Sequence, residues 1–388
     1  TDKRWAAAPG LEKVIDFEFG YFDASAQRIY FLANALHNTR SLYSYDLSSH
    51  KVELVFNNEQ VDITRLHRAG LGELPYALSL DPAYRQFVPI NAQNPLSGLF
   101  AAMVNGFKGH NVHIVSTSAD KKHVVFYIEK DTNAGAFYHY DVTTGKSKSL
   151  AKSNKAIDNA RLSAIQPFQF KAGSGDTIRG YLTLPAQAAD KKAPVVLMLN
   201  SFLHTSRDRW RYDNKVQIYA NQGYAVVQVN LPGAEGYGDD YDFIGEQQWQ
   251  PAQFNQYLEV LDSLAGSFPI DKQKRCIVGS SFGAYTALMT ARHNPKAFSC
   301  VVAMNGKYDF ERVQEESRFA RRTYADAYFD QYFTADDSKV EGMSLKAHQD
   351  QLITPTYFVH NESSKEQPFS YIRSISRKMD DNDVDVAL

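Results

Sequence analysis

The second half of the chain alternates continuous apolar runs with segments of helical periodicity. The predicted strands share an almost uniformly apolar composition and cover residues 194–199, 224–230, 275–278, 299–304, 356–359 and 384–388. The predicted helices between them cover residues 212–222, 251–266, 284–293 and 369–378, and the second of these has its apolar residues on one face. Uniformly apolar strands separated by helices predict a mostly parallel, doubly wound sheet covered on both faces, the arrangement of the α/β class.

Two segments depart from this alternation. Residues 168–171 and 178–184 form a two-stranded pattern around a Gly-Ser-Gly-Asp turn, which predicts a hairpin at the start of the domain. Residues 308–352 are polar and rich in helical patterns, although they lie between two predicted strands. That position favours a lid or an inserted pair of helices.

The first part of the chain contains aromatic residues in alternating, strand-like runs, and one such run is repeated. Residues 23–56 and 118–151 align without gaps at an offset of 95 residues. The matched pairs are Phe31 with Phe126, Tyr43 with Tyr138, Tyr45 with Tyr140, Asp46 with Asp141 and Lys51 with Lys146. Half of this offset lies near the blade period of β-propellers, roughly 40–50 residues. The repeat therefore predicts two propeller blades with a diverged unit between them, and two unrelated hairpins are the alternative.

The segment between the two copies, residues 78–107, is interpreted as an insertion or linker with a helical patch at 96–107. The expected organisation is a partial β-propeller-like domain at residues 1–164 and an α/β domain at residues 165–388. The first domain has room for about three blades, whereas closed propellers have at least about four. We therefore expect the sequence to be an excerpt of a longer chain.

Composition and charge exclude several classes of protein. The 388 residues are 44% apolar and 22% charged, which is typical of a globular chain and not of a disordered one. The 42 basic and 44 acidic residues give a net charge of −2, so nucleic acid is not an expected partner. No stretch approaches the ~18 apolar residues of a membrane span. Nothing in residues 1–10 resembles a signal peptide, and the compartment is left open.

The cysteines and histidines predict neither a metal site nor a cofactor. Cys276 and Cys300 are too few for a disulfide framework and lack metal-ligand spacing. They lie on predicted buried strands, so they are interpreted as small core residues. His110, His113 and His123 also lack the spacing of a ligand set.

The most informative motif is Gly279-Ser280-Ser281-Phe282-Gly283, a G-x-S-x-G that follows a predicted strand and opens a predicted helix. This context is that of a nucleophile elbow, in which the serine occupies a strained turn above the carboxyl edge of the sheet. Glycines two residues before and after the serine avoid a clash in such a turn. The motif predicts Ser281 as a nucleophile and the Phe282 backbone N–H as an oxyanion donor. A glycine-rich turn with a capping serine is the alternative.

The extended motif at residues 279–285, GSSFGAY, resembles the G-x-S-x-G-G-Y of the prolyl oligopeptidase family of serine peptidases. Three further segments resemble the family in the same order. They are the entry into the catalytic domain at 168–185, a strand and glycine-rich loop at 223–238, and the acid-bearing segment at 355–369. The resemblance covers residues 78–388. It implies an α/β-hydrolase domain behind a β-propeller, with peptides rather than folded proteins as substrates.

The chain departs from the family pattern at the oxyanion and acid positions. Asn200 stands where the family has a His or Tyr before a glycine-rich loop. Its amide could donate to an oxyanion, and a turn residue at the end of a strand is the alternative. Ser364 takes the place of the triad Asp. Glu362 or Glu366 could substitute for it, but we favour surface carboxylates for both.

The triad histidine is the largest departure. It should follow the acid by about thirty residues, on a loop after the last strand. The histidines after Ser281 are His293, His348 and His360, and none has that position. We therefore expect the general base to lie beyond Leu388.

These residues favour a serine-type peptidase that hydrolyses short peptides through an acyl-enzyme on Ser281. A catalytically inactive relative that binds peptides is the alternative from a different class. An esterase on the same fold is a weaker alternative, because the propeller-like repeat has no role there. A peptide substrate is the expected partner, and a homodimer is left open.

Overall fold

The computed structural model describes residues 9–388 except 13, 24, 35, 69–73, 91–93, 158–161, 187–191, 201–206, 243, 245–250, 317–328, 331–336 and 366. The chain forms two compact units. The N-terminal unit comprises Thr1–Ala160 together with Arg209–Asp213 and Gly236–Asp240. The C-terminal unit comprises Arg161–Asp208, Asn214–Glu235 and Tyr241–Leu388.

The described residues of the N-terminal unit form three antiparallel sheets. The first has four strands in sequential order, β1 (Ile15–Phe22), β2 (Arg28–Asn34), β3 (Ser41–Asp46) and β4 (Val52–Phe56). The second has three strands, β5 (Ile63–His67), β6 (Ala77–Leu80) and β7 (Gln86–Pro89), and the helix α1 (Pro95–Gly106) follows it. The third has four strands, β8 (Asn111–Thr117), β9 (His123–Lys130), β10 (Asn133–Asp141) and β11 (Lys146–Lys152).

The sequence repeat corresponds to the first and third of these sheets. In each copy the repeated aromatic residues lie directly across neighbouring strands, with Phe31 opposite Tyr43 and Phe126 opposite Tyr138. In each copy the next aspartate accepts two backbone N–H groups of the turn that follows, a local bond that stabilises such turns. These aspartates are Asp46 and Asp141. The two copies are therefore equivalent four-stranded sheets, and the alternative of unrelated hairpins is wrong.

The segment between the copies is only partly what the sequence predicts. The helical patch is confirmed as α1, which begins with Pro95 after the N-cap Asn94. The Asn94 side chain accepts the backbone N–H of Leu96, as capping asparagines do. The interpretation of the whole segment as a linker is wrong, because β6 and β7 are strands of the second sheet. Their short, proline-flanked runs did not show the alternation that marks a strand.

The C-terminal unit is organised around one eight-stranded sheet. Its strands are β12 (Ile165–Lys171), β13 (Thr177–Thr183), β14 (Ala193–Leu199), β15 (Ala225–Asn230), β16 (Ile270–Ser280), β17 (Cys300–Met304), β18 (Thr356–Val359) and β19 (Val386–Ala387). Their order is β12-β13-β15-β14-β16-β17-β18-β19. Pairing is antiparallel from β12 to β15 and parallel from β15 to β19. The predicted hairpin and the mostly parallel sheet are confirmed.

The helices of the second half follow the predicted alternation. They are α2 (Asn214–Asn221), α3 (Asp239–Asp242), α4 (Pro251–Ser267), α5 (Phe282–His293), α6 (Phe310–Glu316), α7 (Asp337–Met343) and α8 (Phe369–Asp381). Phe254 of α4, Leu288 of α5 and Phe358 of β18 are buried in one apolar core. The stretch between β17 and β18 contains α6, α7 and a 3-10 helix, Leu345–Gln351, so its helix-rich character is confirmed. Part of that stretch, 317–328 and 331–336, lies outside the described residues.

Cys276 and Cys300 form a disulfide between β16 and β17. The parallel register places the two residues opposite each other, with their Cα atoms 4.7 Å apart. Both side chains are half-buried. Their interpretation as unpaired core residues is wrong, because a separation of 24 residues does not reveal the register that brings them together.

The described residues contain neither a candidate membrane-spanning helix nor a candidate metal-binding cluster. In that part of the chain, no helix is both long and apolar enough to span a membrane. The same part of the chain has no group of three or more His, Cys, Asp or Glu side chains that could hold a metal ion.

Candidate active site

Ser281 occupies a strained turn between β16 and α5. The strand ends at Ser280, the helix begins at Phe282, and Ser281 between them has φ 55° and ψ −124°. Non-glycine residues rarely adopt this backbone conformation, which tends to occur at functional sites. The Ser281 side chain makes no capping hydrogen bond to α5 within the described structure. The alternative of a capping serine is therefore wrong.

Three backbone hydrogen bonds hold Ser281 in this conformation. Its N–H donates to the carbonyl oxygen of Met304 at 3.0 Å. Its own carbonyl oxygen accepts the N–H of Ala284 at 3.1 Å and the N–H of Lys307 at 3.2 Å. Because the partners lie on α5, at the end of β17 and in the segment that follows β17, the turn is fixed by its neighbours as well as by its own sequence.

The two glycines of the motif lie where a side chain could not fit. A Cβ atom on Gly279 would overlap the backbone of Gly283. A Cβ atom on Gly283 would overlap the carbonyl oxygen of Asn200. Glycine is therefore required at both positions by the close approach of backbone to backbone, which is the reason that the sequence argument gave.

The two predicted oxyanion donors, Phe282 and Asn200, are next to these contacts. Phe282 directly precedes Gly283, and Asn200 provides the carbonyl oxygen that Gly283 approaches. Phe282 is the first residue of α5, a helix of 12 residues. Backbone N–H groups in the first turn of a helix have no acceptor within the helix and favour negative charge. Asn200 directly follows β14, at the carboxyl edge of the sheet. The rest of its loop, residues 201–206, lies outside the described residues.

The histidines that follow Ser281 have their observed contacts elsewhere. His293 stacks on Phe254 with ring centroids 5.2 Å apart, and burial and the nearby Arg292 lower the pKa of His293. His348 lies on the 3-10 helix, and burial lowers its pKa as well. The Nε2 atom of His360 lies 2.8 Å from the carbonyl oxygen of Gln367. Since a carbonyl oxygen only accepts, Nε2 of His360 carries the proton.

The acid-type segment forms a loop after β18. The Ser364 N–H donates to the carbonyl oxygen of Asn361 at 3.0 Å. The hydroxyl of Ser364 accepts the N–H of Gln367 at 3.2 Å, so this side chain stabilises the loop itself. Glu362 is exposed, and Glu366 lies outside the described residues.

The segment that follows β17 is the part of the site that sequence reasoning missed. Asn305, with φ 44°, is followed by Gly306 and then by Lys307. Burial lowers the pKa of Lys307, whose backbone contacts Ser281. The Asn-Gly dipeptide after a predicted strand marks a turn. Only the order of the strands, however, shows that this turn lies beside Ser281.

Comparisons with known proteins show which proteins this chain resembles. Residues 210–387 match the prolyl oligopeptidase family. The chain is 25% identical to dipeptidyl aminopeptidase BIII of Pseudoxanthomonas mexicana over 305 residues, which are 76% of this chain and 43% of that protein. The chain therefore spans less than half the length of this curated relative.

Solved structures show the same fold. A puromycin-hydrolyzing peptidase of Mycobacterium tuberculosis matches with a TM-score of 0.74 at 16% identity, over 95% of this chain and 57% of that one. An acylaminoacyl peptidase of Pyrococcus horikoshii matches with a TM-score of 0.66 at 16% identity, also over 95% of this chain and 57% of that one. These likenesses confirm the α/β-hydrolase fold preceded by a β-sheet domain.

Proposed function

We propose that the protein is a serine peptidase that hydrolyses peptide bonds of short peptides, because residues 210–387 match the prolyl oligopeptidase family. The observation that carries the proposal is the strained conformation of Ser281 between β16 and α5. Such a turn exposes the serine hydroxyl at the carboxyl edge of the sheet. The names of the relatives, a dipeptidyl aminopeptidase and an acylaminoacyl peptidase, support peptides as the substrate class.

The proposed reaction proceeds through an acyl-enzyme. The Oγ atom of Ser281 forms a bond to the carbonyl carbon of the scissile peptide and gives its proton to a general base. The C–N bond then breaks, and the leaving amine takes that proton. The Phe282 N–H and the Asn200 side chain are the proposed donors to the oxyanion. Water then attacks the ester carbon and gives a proton to the general base, the C–Oγ bond breaks, Oγ of Ser281 takes that proton back, and the product leaves as a carboxylic acid.

The first test is covalent labelling of Ser281 by a fluorophosphonate probe, followed by intact mass and peptide mapping. We expect one adduct on Ser281 and none on the Ser281→Ala variant. Ser280→Ala is the matched control, because it removes the neighbouring hydroxyl of the same motif and should leave labelling in place. A full-length chain that does not react, or that reacts equally as Ser281→Ala, contradicts the proposal.

One specific observation favours the second candidate, a catalytically inactive relative that binds peptides. The acid position holds Ser364, whose hydroxyl is engaged within its own loop. Among the described residues, His293, His348 and His360 each contact other groups. Peptide binding measured by calorimetry without turnover of the same peptide would support this candidate. Turnover of an ester but of no peptide would instead support an esterase.

The domain roles and the assembly are part of the same proposal. Residues 1–164 are proposed to form a β-propeller-like domain, and residues 165–388 the hydrolase domain. The resemblance between the four-stranded sheets at β1–β4 and β8–β11 supports the first of these roles. Whether the protein forms a homodimer is left open, and light scattering after size exclusion would measure it.

A further inference from the structure

The end of β17 and the segment that follows it hold Ser281 from both sides. Met304, the last residue of β17, accepts the Ser281 N–H, and Lys307 of the following segment donates its N–H to the Ser281 carbonyl oxygen. Only two residues lie between these points of contact. Any displacement of this segment moves the backbone of Ser281 with it.

The same segment is bonded to the loop after β18 through Asn305. The Asn305 N–H donates to the carbonyl oxygen of Val359 at 2.7 Å. The Asn305 Oδ1 atom accepts the N–H of Asn361 at 2.8 Å. Asn305 has a positive φ, 44°. Asparagine tolerates this conformation better than most side chains do.

A second side-chain amide makes the reciprocal connection. The Oε1 atom of Gln367, on the loop after β18, accepts the backbone N–H groups of Tyr308 at 2.9 Å and Asp309 at 3.1 Å. Gln367 is only 1% exposed, so water does not compete for these bonds. Its Nε2 atom has no partner among the described residues. The accepting oxygen is therefore the feature that explains a glutamine at this buried position.

The backbone of Gln367 is fixed in turn by His360, whose Nε2–H donates to the Gln367 carbonyl oxygen. The two loops are thus joined by hydrogen bonds to side-chain amides in both directions. Asn305 of the first loop accepts from the second, and Gln367 of the second loop accepts from the first. We call the Asn305 and Gln367 side chains the amide clamp.

We propose that Asn305 and Gln367 are positioning residues for Ser281, because the amide clamp fixes the segment that holds Ser281 against the loop after β18. This inference rests on the proposed function, since the loop after β18 is the segment that resembles the family's acid-bearing one. Neither residue is assigned a contact with the reacting atoms. Both act through the backbone bonds from Met304 and Lys307 to Ser281.

The first pair of variants separates the effect of the Asn305 acceptor oxygen from the effect of the Asn305 backbone conformation. Asn305→Gly keeps the left-handed backbone and removes the acceptor, whereas Asn305→Asp keeps the acceptor. In the full-length protein, we expect Asn305→Gly to lower kcat and the rate of fluorophosphonate labelling by about 10- to 100-fold with little change in KM, the size of effect that a small misplacement produces. Asn305→Asp should recover most of this rate. Asn382→Gly, at the C-cap of α8, is the control and should react like the unchanged protein.

A second pair of variants, at Gln367, tests the same proposal in case Asn305→Gly does not fold. Gln367→Met removes the acceptor at similar length, and Gln367→Glu keeps it. If Asn305→Gly does not fold, the same loss and recovery are expected from this pair. The proposal would be overturned if both Asn305→Gly and Gln367→Met had the labelling rate and the kcat of the unchanged protein.

Hydrogen exchange tests the positioning role of Asn305 without relying on peptidase activity. The amide clamp predicts faster exchange of backbone amides at residues 279–284 in Asn305→Gly than in the unchanged protein, with Asn305→Asp in between. If the unchanged protein reacts with no probe but shows this pattern, the proposed function fails and the positioning role stands. If exchange at these residues is the same in all three proteins, the positioning role fails whatever the activity.

Discussion

The carbonyl oxygen of Asn200 lies so close to the Cα atom of Gly283 that a methyl group on Gly283 would overlap it. This contact joins the end of β14 to the first turn of α5. It therefore couples the proposed oxyanion residues to the turn that carries Ser281. A protein that loses this contact must move either the helix or the loop.

Gly283→Ala tests this contact. Because the new methyl group meets backbone, which cannot rotate away, we expect a loss of stability of about 1–3 kcal/mol. We also expect slower labelling of Ser281, since α5 begins directly after it. Urea unfolding and the labelling rate are the two measurements.

The control for this substitution is Gly266→Ala near the end of α4. A Cβ atom there meets nothing within 4 Å. Alanine should therefore stabilise the helix by up to about 1 kcal/mol, because it restricts the unfolded chain more than glycine does. Equal behaviour of the two variants would show that the contact between Asn200 and Gly283 is unimportant.

Tyr285→Phe tests the connection between α5 and the helix-rich stretch. The buried Tyr285 hydroxyl donates to the carbonyl oxygen of Met343 at the end of α7, at 2.7 Å. Its removal leaves that carbonyl without this donor, and we expect a loss of about 1–3 kcal/mol in the free energy of unfolding. Tyr357→Phe is the control. Its side chain is 53% exposed, so we expect a change within about 0.5 kcal/mol. A Tyr285→Phe variant as stable as the control would contradict this account.

Local patterns were sufficient to predict most of the fold. The helical spacing of the second half places α5 to within two residues, and the apolar run at 275–278 locates the C-terminal part of β16 but not its polar first half. The turn at Ser281 was equally predictable, because a nucleophile elbow is determined by residues adjacent in sequence. The strands β6 and β7 were missed because each has only four residues and shows no alternation.

Contacts between distant segments were not predictable. Asn305 and Asn361 lie 56 residues apart, and Gln367 and Tyr308 lie 59 residues apart. Each pair meets because β17 and β18 are neighbours in the sheet, which no local pattern reveals. The disulfide between Cys276 and Cys300 was missed for the same reason, since it depends on the register of β16 against β17.

Removal of this disulfide should destabilise the C-terminal unit. The bond closes a loop between residues 24 apart in sequence, and such a cross-link restricts the unfolded chain. We expect the double variant Cys276→Ser, Cys300→Ser to lose about 3 kcal/mol relative to the oxidised protein. Urea unfolding with and without dithiothreitol measures this loss. The reductant should destabilise the unchanged protein to the level of the double variant and leave the variant itself unaffected, and an oxidised protein that does not respond would contradict the prediction.

His67 should make the stability of the N-terminal unit depend on pH. The side chain is 4% exposed, and its Nε2 atom lies 3.0 Å from the Ser79 hydroxyl. Burial, together with the nearby His113, lowers the pKa of His67 to about 3. The unfolded chain has a histidine pKa of about 6.5. Between these values the unfolded chain binds a proton that the folded chain does not, so stability falls as the pH falls.

The expected slope for His67 is up to about 1.4 kcal/mol for each pH unit below about 6.5. His67→Phe removes the titrating group and should flatten the dependence of unfolding free energy on pH in this range. Part of the slope should remain, because burial lowers the pKa of His113 to about 4. His37→Gln, which changes an exposed histidine of the same unit, should keep the full slope. Unfolding curves at pH 7, 6, 5 and 4 separate these outcomes, and identical slopes in His67→Phe and His37→Gln would show that the buried imidazole is not the source.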